Sequence, residues 1–260
     1  MNILDKITAH KRLEIAAKTV AFPIALLEQS TNFNRNCHSL VKAIQNSETG
    51  IIAEFKRRSP SKSVINDQSS IAEVIPAYAQ AGASAISVLT DTAFFGGSLD
   101  DLTQARLLVE LPILRKDFII DAYQIYEAKA YGADAILLIA ACLTANEIQE
   151  FSTLAKQLGL DVIIEIHNEA ELSKATLETI DLIGVNNRNL KSFNVSLETS
   201  KKLADKIPDS YVKISESGIS SVAAIHELRP YGFKGFLMGE RFMKTNNPGL
   251  AATNFINALI

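Results

Sequence analysis

The chain has 260 residues, 47% hydrophobic and 21% charged, with 26 Lys and Arg against 29 Asp and Glu and a formal net charge of −3. That balance excludes intrinsic disorder, which needs few apolar residues and a large net charge. It also supplies no general positive field for a polyanion, so nucleic acid is not an expected partner. The two cysteines, Cys37 and Cys142, are too few for a disulfide framework or a four-thiolate zinc site, and they read as small buried apolar residues.

Residues 1–48 show no strand pattern. Asp5 and Lys6 put charge where a signal peptide would be apolar, and no run approaches the roughly 18 uncharged apolar residues of a membrane span. A cytoplasmic protein with no membrane partner is expected. Ile3, Ile7, Leu13, Ile15 and Ala16 suggest one helix and Ser39–Ile44 a second. Together they form a helical extension that closes the bottom of the main domain or flanks its mouth.

From residue 51 onward, short runs rich in Ile, Val and Leu recur: Ile51–Phe55, Ala85–Leu89, Pro112–Leu114, Ala135–Ala141, Val162–Ile166, Leu182–Val185, Tyr211–Ile214 and Gly235–Met238. Apolar on successive residues, they suit strands buried on both faces, as in a parallel sheet. Amphipathic helices fit between them. Thr144 and Glu147 make a capping box, Ile148, Phe151, Leu154, Ala155 and Leu158 keep helical spacing, and Gly159 ends the segment. The junctions at Gly82, Gly132, Gly159 and Gly232 resemble one another, each a helix-ending Gly followed within a few residues by a strand. Strict alternation of strand and helix implies parallel strands with right-handed crossovers. About eight units in roughly 210 residues indicate a (β/α)8 TIM barrel. A doubly wound sheet is the alternative, but its Gly-x-Gly-x-x-Gly turn is missing after the first strand. The expected organisation is one domain over 1–260, with the helical extension at 1–48 and eight βα units at 49–260.

In such a barrel the reacting side chains stand at the C-terminal ends of the strands. Polar residues occupy those ends on alternate positions. Glu54 and Lys56 follow Ile52, Lys116 and Phe118 follow Leu114, Glu165 and His167 follow Ile163, and Asn186 and Arg188 follow Gly184. Charge within a buried strand is costly unless paired or functional. One charged end reads equally as a structural ion pair; four at the same end favour a site. The turns Ser215–Ser220 and Met238–Arg241 follow strands seven and eight, where many barrels bind phosphate through backbone N–H groups and a helix N-terminus. Gly218 and Gly239 there would let an anion approach without a Cβ in the way. The cationic run from Lys56 to Lys62 sits in and after an apolar strand, which suits an anionic small molecule rather than nucleic acid. His10, His38 and His226 read as solvated, and His167 lacks a metal-ligand pattern, so no metal or other cofactor is expected.

These segments resemble a known family. Ile52-Ala53-Glu54-Phe55-Lys56-Arg57-Arg58-Ser59-Pro60-Ser61-Lys62 is similar to the first-strand signature of the indole-3-glycerol-phosphate synthases. The likeness continues, in order, through Ser87–Asp91, Phe95–Ser98, Leu114–Phe118, Ile164–His167, Gly184–Leu190, Glu216–Ile219 and Phe236–Glu240. Two positions depart from the commonest pattern: Ser63 stands where Gly is usual, and Asn189 where Asp is.

The resemblance implies ring closure, decarboxylation and dehydration of 1-(2-carboxyphenylamino)-1-deoxyribulose 5-phosphate. It implies Lys116 as the acid of ring closure and Glu165 and Lys56 in dehydration, with Glu54, Asn186 and Glu216 as further catalytic positions. Arg188, Phe118, Phe95 and Leu237 would hold the substrate, and Ser59, Ser217, Gly218, Gly239 and Glu240 its phosphate. A phosphorylated small molecule is then the only expected partner, bound by a monomer. Two rival readings fit the residues less well. A phosphoribosylanthranilate isomerase would need a Cys and Asp pair, and neither cysteine lies at an early strand end. A non-catalytic phosphosugar-binding barrel should have lost Lys56, Lys116 or Glu165, and all three are present.

Overall fold

The computed structural model describes residues 3–190 and 192–260. Eight parallel strands, β1 (Ile51–Phe55), β2 (Ala85–Leu89), β3 (Ile113–Lys116), β4 (Ala135–Ile139), β5 (Asp161–Ile166), β6 (Leu182–Asn186), β7 (Val212–Glu216) and β8 (Phe233–Met238), close into a barrel in sequence order. Before them come α1 (Ile3–Ala21), α2 (Ile24–Leu27) and α3 (Leu40–Gln45). The connections carry α4 (Ile71–Gln80), α5 (Thr92–Phe95), α6 (Leu99–Leu108), α7 (Tyr123–Ala130), α8 (Ala145–Gln157), α9 (Glu169–Leu172), α10 (Glu198–Ala204) and α11 (Val222–Leu228), and α12 (Glu240–Met243) and α13 (Pro248–Asn257) end the chain. This is the (β/α)8 TIM barrel with an N-terminal helical extension. No helix among the described residues is long and apolar enough to cross a membrane.

Local chemistry sets these elements where the pattern placed them. Helix α8 starts at the Thr144–Glu147 capping box and stops before Gly159, which takes φ +75°; Gly82, Gly132 and Gly232 are left-handed at the equivalent junctions. Alternation along each strand then divides two cores. Ile52, Leu114, Leu137, Ile163, Leu182, Ile214 and Leu237 fill the barrel, while Ile51, Ile86, Ile136, Ile164 and Ile183 pack outward against the helices.

The extension both closes the bottom and flanks the mouth. Leu40 and Ile44 of α3 join the interior cluster, and α3 packs against β2 and β8. A Cβ on Gly235, early in β8, would meet Ile44, so α3 lies at the bottom. Helix α1 instead flanks the mouth, with Ile7 in the same interior cluster. Leu13, expected on its buried face, is 74% exposed. The buried positions are Ile7, Lys11 and Ile15, so a lysine occupies the middle of the packed stripe at spacing i, i+4, i+8. The cysteines are also less buried than expected, each half-buried and packed against the outer edge of the core.

Lys11 is buried because three carboxylates receive it. Its Nζ lies 2.9 Å from Glu14, 3.0 Å from Asp91 and 3.1 Å from Asp117. Burial disfavours the ammonium, but Asp117, Asp91 and Glu14 outweigh it and raise the Lys11 pKa. Asp117 also accepts from Thr90 at 2.5 Å and from Arg115 at 3.0 Å, and Arg115 donates onward to Glu127 at 2.6 Å. Lys18 closes the loop from α1 to Glu127 at 3.2 Å. The helix is thereby joined to the ends of β2 and β3 by buried charge.

The substitution Lys11→Met should therefore destabilise the protein by about 3–5 kcal/mol, because the aspartates stay buried without their cation. Urea unfolding followed by circular dichroism measures the loss; an unchanged midpoint would mean that α1 is held by apolar contact alone.

Candidate active site

At the C-terminal ends of the strands, β1, β3, β5 and β7 each deliver a charged side chain to the barrel axis. A cavity of about 280 Å³ opens there. It is lined by Glu54, Lys56, Lys116, Glu165, Asn186 and Glu216, by Arg188, Phe118, Phe95 and Leu237, and by Ser59, Ser217, Gly218, Gly239 and Glu240. Every expected site residue thus reaches one cavity. Other lining residues gave no clear signal in the sequence: Ile3, Leu4 and Ile7 from α1, and Arg241 and Lys244 beside the last strand. Arg241 ends the Met238–Arg241 turn after β8, and that position was the available signal.

Lys116 stands at the centre. Its Nζ is hydrogen-bonded to Glu216 and lies 3.3 Å from Glu165. Burial works against its charge, yet Glu216, Glu165 and Glu54 outweigh that and hold its pKa well above the ordinary lysine value. The two carboxylates respond in opposite directions. Burial would raise Glu165, but Lys116, His167 and Asn186 outweigh it and keep this carboxyl below the usual range. Burial raises Glu216, Lys116 opposes, and repulsion from Glu165 and Glu54 adds to the rise. Asn186 orients Glu165 by donating from Nδ2 at 3.0 Å, while its own Oδ1 accepts from the Arg188 N–H at 3.0 Å. Just past the end of β1, Lys56 donates to Glu54 at 2.5 Å.

Two glycines make room for these acids. A Cβ on Gly184 would overlap Glu216 Oε1, and one on Gly239 would overlap Glu54 Oε1. Gly218 takes φ +77°, and a Cβ there would strike Val195. Gly218 and Gly239 are expected from the sequence to serve the approach of an anion; in the structure, neighbouring side chains already exclude a Cβ at both positions.

Around this centre the walls differ in character. Phe95 and Phe118 have ring centroids 5.8 Å apart and, with Leu237 and the α1 residues, form an apolar side. Opposite, the turn after β7 holds Ser217 at φ +65° next to Gly218. Buried Asn187 braces it, donating to the Ser217 carbonyl at 3.1 Å and to Ser215 Oγ at 2.9 Å. Ser59, Arg188, Arg241 and Lys244 line the cavity too. Helix α12 is a single turn of four residues, too short for a helix dipole to add much to the charge of these cations. The Glu240 side chain is engaged elsewhere: Lys62 donates to it at 2.5 Å, tying the loop after β1 to the end of β8. Only its N–H is left to face an anion.

Comparison with known proteins agrees with this architecture. Solved structures that resemble it at TM-scores of 0.60 and 0.62 include a thiamine phosphate pyrophosphorylase from Pyrococcus furiosus and a KGPDC from Streptococcus mutans. Each covers 82% of this chain and 98% of its own at 16% and 13% identity, a likeness of fold alone. The sequence relatives are nearer. Proteins named indole-3-glycerol phosphate synthase from Bacteroides thetaiotaomicron and a Polaromonas species are 49% and 44% identical over 99% and 96% of both chains. The family model for indole-3-glycerol phosphate synthase matches residues 4–255. By fold, by coverage and by identity, the chain belongs to the indole-3-glycerol phosphate synthase family.

Proposed function

We propose that this chain converts 1-(2-carboxyphenylamino)-1-deoxyribulose 5-phosphate to indole-3-glycerol phosphate, CO2 and water. The observation that carries the reading is a lysine held protonated between two buried carboxylates, midway between an apolar wall and a cationic, glycine-bearing turn. The anthranilate ring belongs on the wall of Phe95, Phe118 and Leu237. The phosphate belongs with Ser59, Ser217 and the N–H groups of Gly218, Gly239 and Glu240, near Arg188. Between them the C2 carbonyl meets Lys116.

Each step then has a group suited to it. Attack of the ring carbon on C2 builds negative charge on the carbonyl oxygen, and Lys116 supplies the proton. Loss of CO2 restores the aromatic ring, which provides the driving force that an electron-sink cofactor provides in other decarboxylations. Dehydration needs one proton on the departing hydroxyl and one removed from carbon. Lys56 and Glu165 are assigned to that exchange, with Glu54 and Glu216 setting the charge of the two lysines and Asn186 aiming Glu165. Ile3, Leu4 and Ile7 in the wall support treating the extension and barrel as a single domain.

The chain contains no Trp, so excitation selective for indole meets a dark background. Mixing enzyme and substrate should produce indole-type emission in step with one CO2 per turnover; persistence of the substrate with folded protein refutes the reading. Lys116→Ala should lower kcat by at least about 10²-fold while substrate still binds. Near-normal turnover would remove Lys116 as the ring-closing acid. Substrate lacking the 5′-phosphate should bind at least about 10²-fold more weakly, since charge-assisted hydrogen bonds contribute about 1.5–3 kcal/mol each. Equal binding, measured by competition, would place the phosphate elsewhere.

A further inference from the structure

The proposed reaction does not conserve protons within the site. The substrate enters with its aryl carboxylate ionised, whereas CO2 and water leave neutral. Two protons go to substrate oxygen, one at the C2 carbonyl and one on the departing hydroxyl, and one proton is taken from carbon. In the decarboxylation, the C–CO2 bond breaks and its electron pair returns to the ring. Each turnover therefore leaves the set Lys56, Lys116 and Glu165 short of one proton, which solvent must replace. Of these, Glu165 is the most deeply buried, its side chain 6% exposed against 14% for Lys116.

One residue outside the cavity lining joins Glu165 to a second, more exposed carboxylate. His167 follows β5, two residues after Glu165. Its Nε2 is buried, has no hydrogen-bond partner among the described residues, and lies 3.4 Å from Glu165 Oε1. That is slightly longer than a formed hydrogen bond and within reach of a small side-chain adjustment. On the other side, its Nδ1 lies 3.1 Å from Glu171 Oε2, which also accepts from the His167 backbone N–H at 2.8 Å. Asn168 holds the second Glu171 oxygen at 2.7 Å. These contacts keep Glu171 ionised, so Nδ1 carries a proton, and Nε2 is the nitrogen that gains or gives one toward the site. Glu171 is 15% exposed and stands at the outer end of the row.

We infer that His167, held by Glu171, is a positioning residue that returns the missing proton from solvent to Glu165 and thence to Lys116. The row is continuous: Glu171, His167 and Glu165, then Lys116 3.3 Å beyond. Each transfer moves one proton between adjacent heteroatoms, and His167 returns to its starting form when its own proton is replaced at the Glu171 side. The groups whose charge bears on His167 are Glu171 on α9, Glu165 on β5 and Glu216 on β7. Cys142 and Lys174 flank Glu165 and Glu171 from the β4 side. Burial lowers the His167 pKa, but Glu171 and Glu165 outweigh it, so the imidazolium persists above the ordinary value of 6.5. A raised value means the donor form is present at lower pH and is lost as pH rises through that value.

This inference rests on the activity proposed above, and the experiment separates the two. The pH dependence of kcat is measured on the full chain by indole emission. The wild type should lose turnover as pH rises past the His167 value. In His167→Gln that limb should vanish and kcat should fall about 10-fold, with KM little changed. In His167→Ala, added imidazole should restore turnover in proportion to its protonated fraction while leaving the wild type unaffected. A purely structural role would not respond to a diffusible acid. Glu171→Gln, which removes the charge, leaves one amide oxygen to accept from His167 and gives up the Asn168 contact, should move the alkaline limb to lower pH. Should His167→Ala fail to fold, the Gln variants decide. Wild-type kcat and an unmoved limb in them, or a folded His167→Ala indifferent to imidazole, overturn the relay and leave proton entry to the open cavity. No indole emission from the wild type overturns the activity itself.

Discussion

Buried charge on both faces of one strand is the constraint on which the rest of the structure depends. Along β3 and its exit, Arg115, Lys116 and Asp117 alternate in direction. Arg115 and Asp117 turn outward into the network with Glu127, Thr90 and Lys11, and Lys116 turns inward to Glu165 and Glu216. None of these charges is tolerable alone in a low-dielectric interior. Their partners come from α1, β2, β5, β7 and α7, so satisfying β3 fixes the relative placement of half the mouth. The lysine at the centre is rigid because its strand neighbours are anchored on the opposite face.

The same constraint explains how much of the molecule could be read from its residues. Apolar runs located all eight strands; their starts differ by up to two residues, as at β8, and three of them stop short at the C-terminal end. The runs stop at Leu114, Val185 and Ile214, whereas the strands continue to Lys116, Asn186 and Glu216. An apolar criterion ends a strand where its polar residues begin, and here those residues are the site. After β4 the error ran the other way: Ala140–Cys142 is apolar yet forms a 3-10 turn.

The candidate site was legible because four strand ends carried polar residues on a common face, a pattern that local alternation preserves. Lys11 was not legible. A lysine on an amphipathic helix normally lies in water, and only the aspartates after β2 and β3, distant in sequence, make its burial possible. Leu13 was misplaced for the same reason, since the buried stripe runs through Ile7, Lys11 and Ile15. The contributions of Ile3, Leu4 and Ile7 to the cavity follow from that docking and could not precede it.

The glycines beneath the acids have a consequence for how this barrel can change. Glu216 fits because Gly184 leaves its space empty, and Glu54 fits because Gly239 does. Acid and glycine form a lock whose two halves lie on neighbouring strands. A larger residue at 184 or 239 displaces a carboxylate before it gains any contact, and shortening the acid alone leaves a void and takes a carboxylate from Lys116 or Lys56. Single steps away from this charge arrangement are therefore disfavoured in either direction. A descendant with different chemistry must cross by paired substitutions, which ties the evolutionary accessibility of new activities to two hydrogen atoms in the place of side chains.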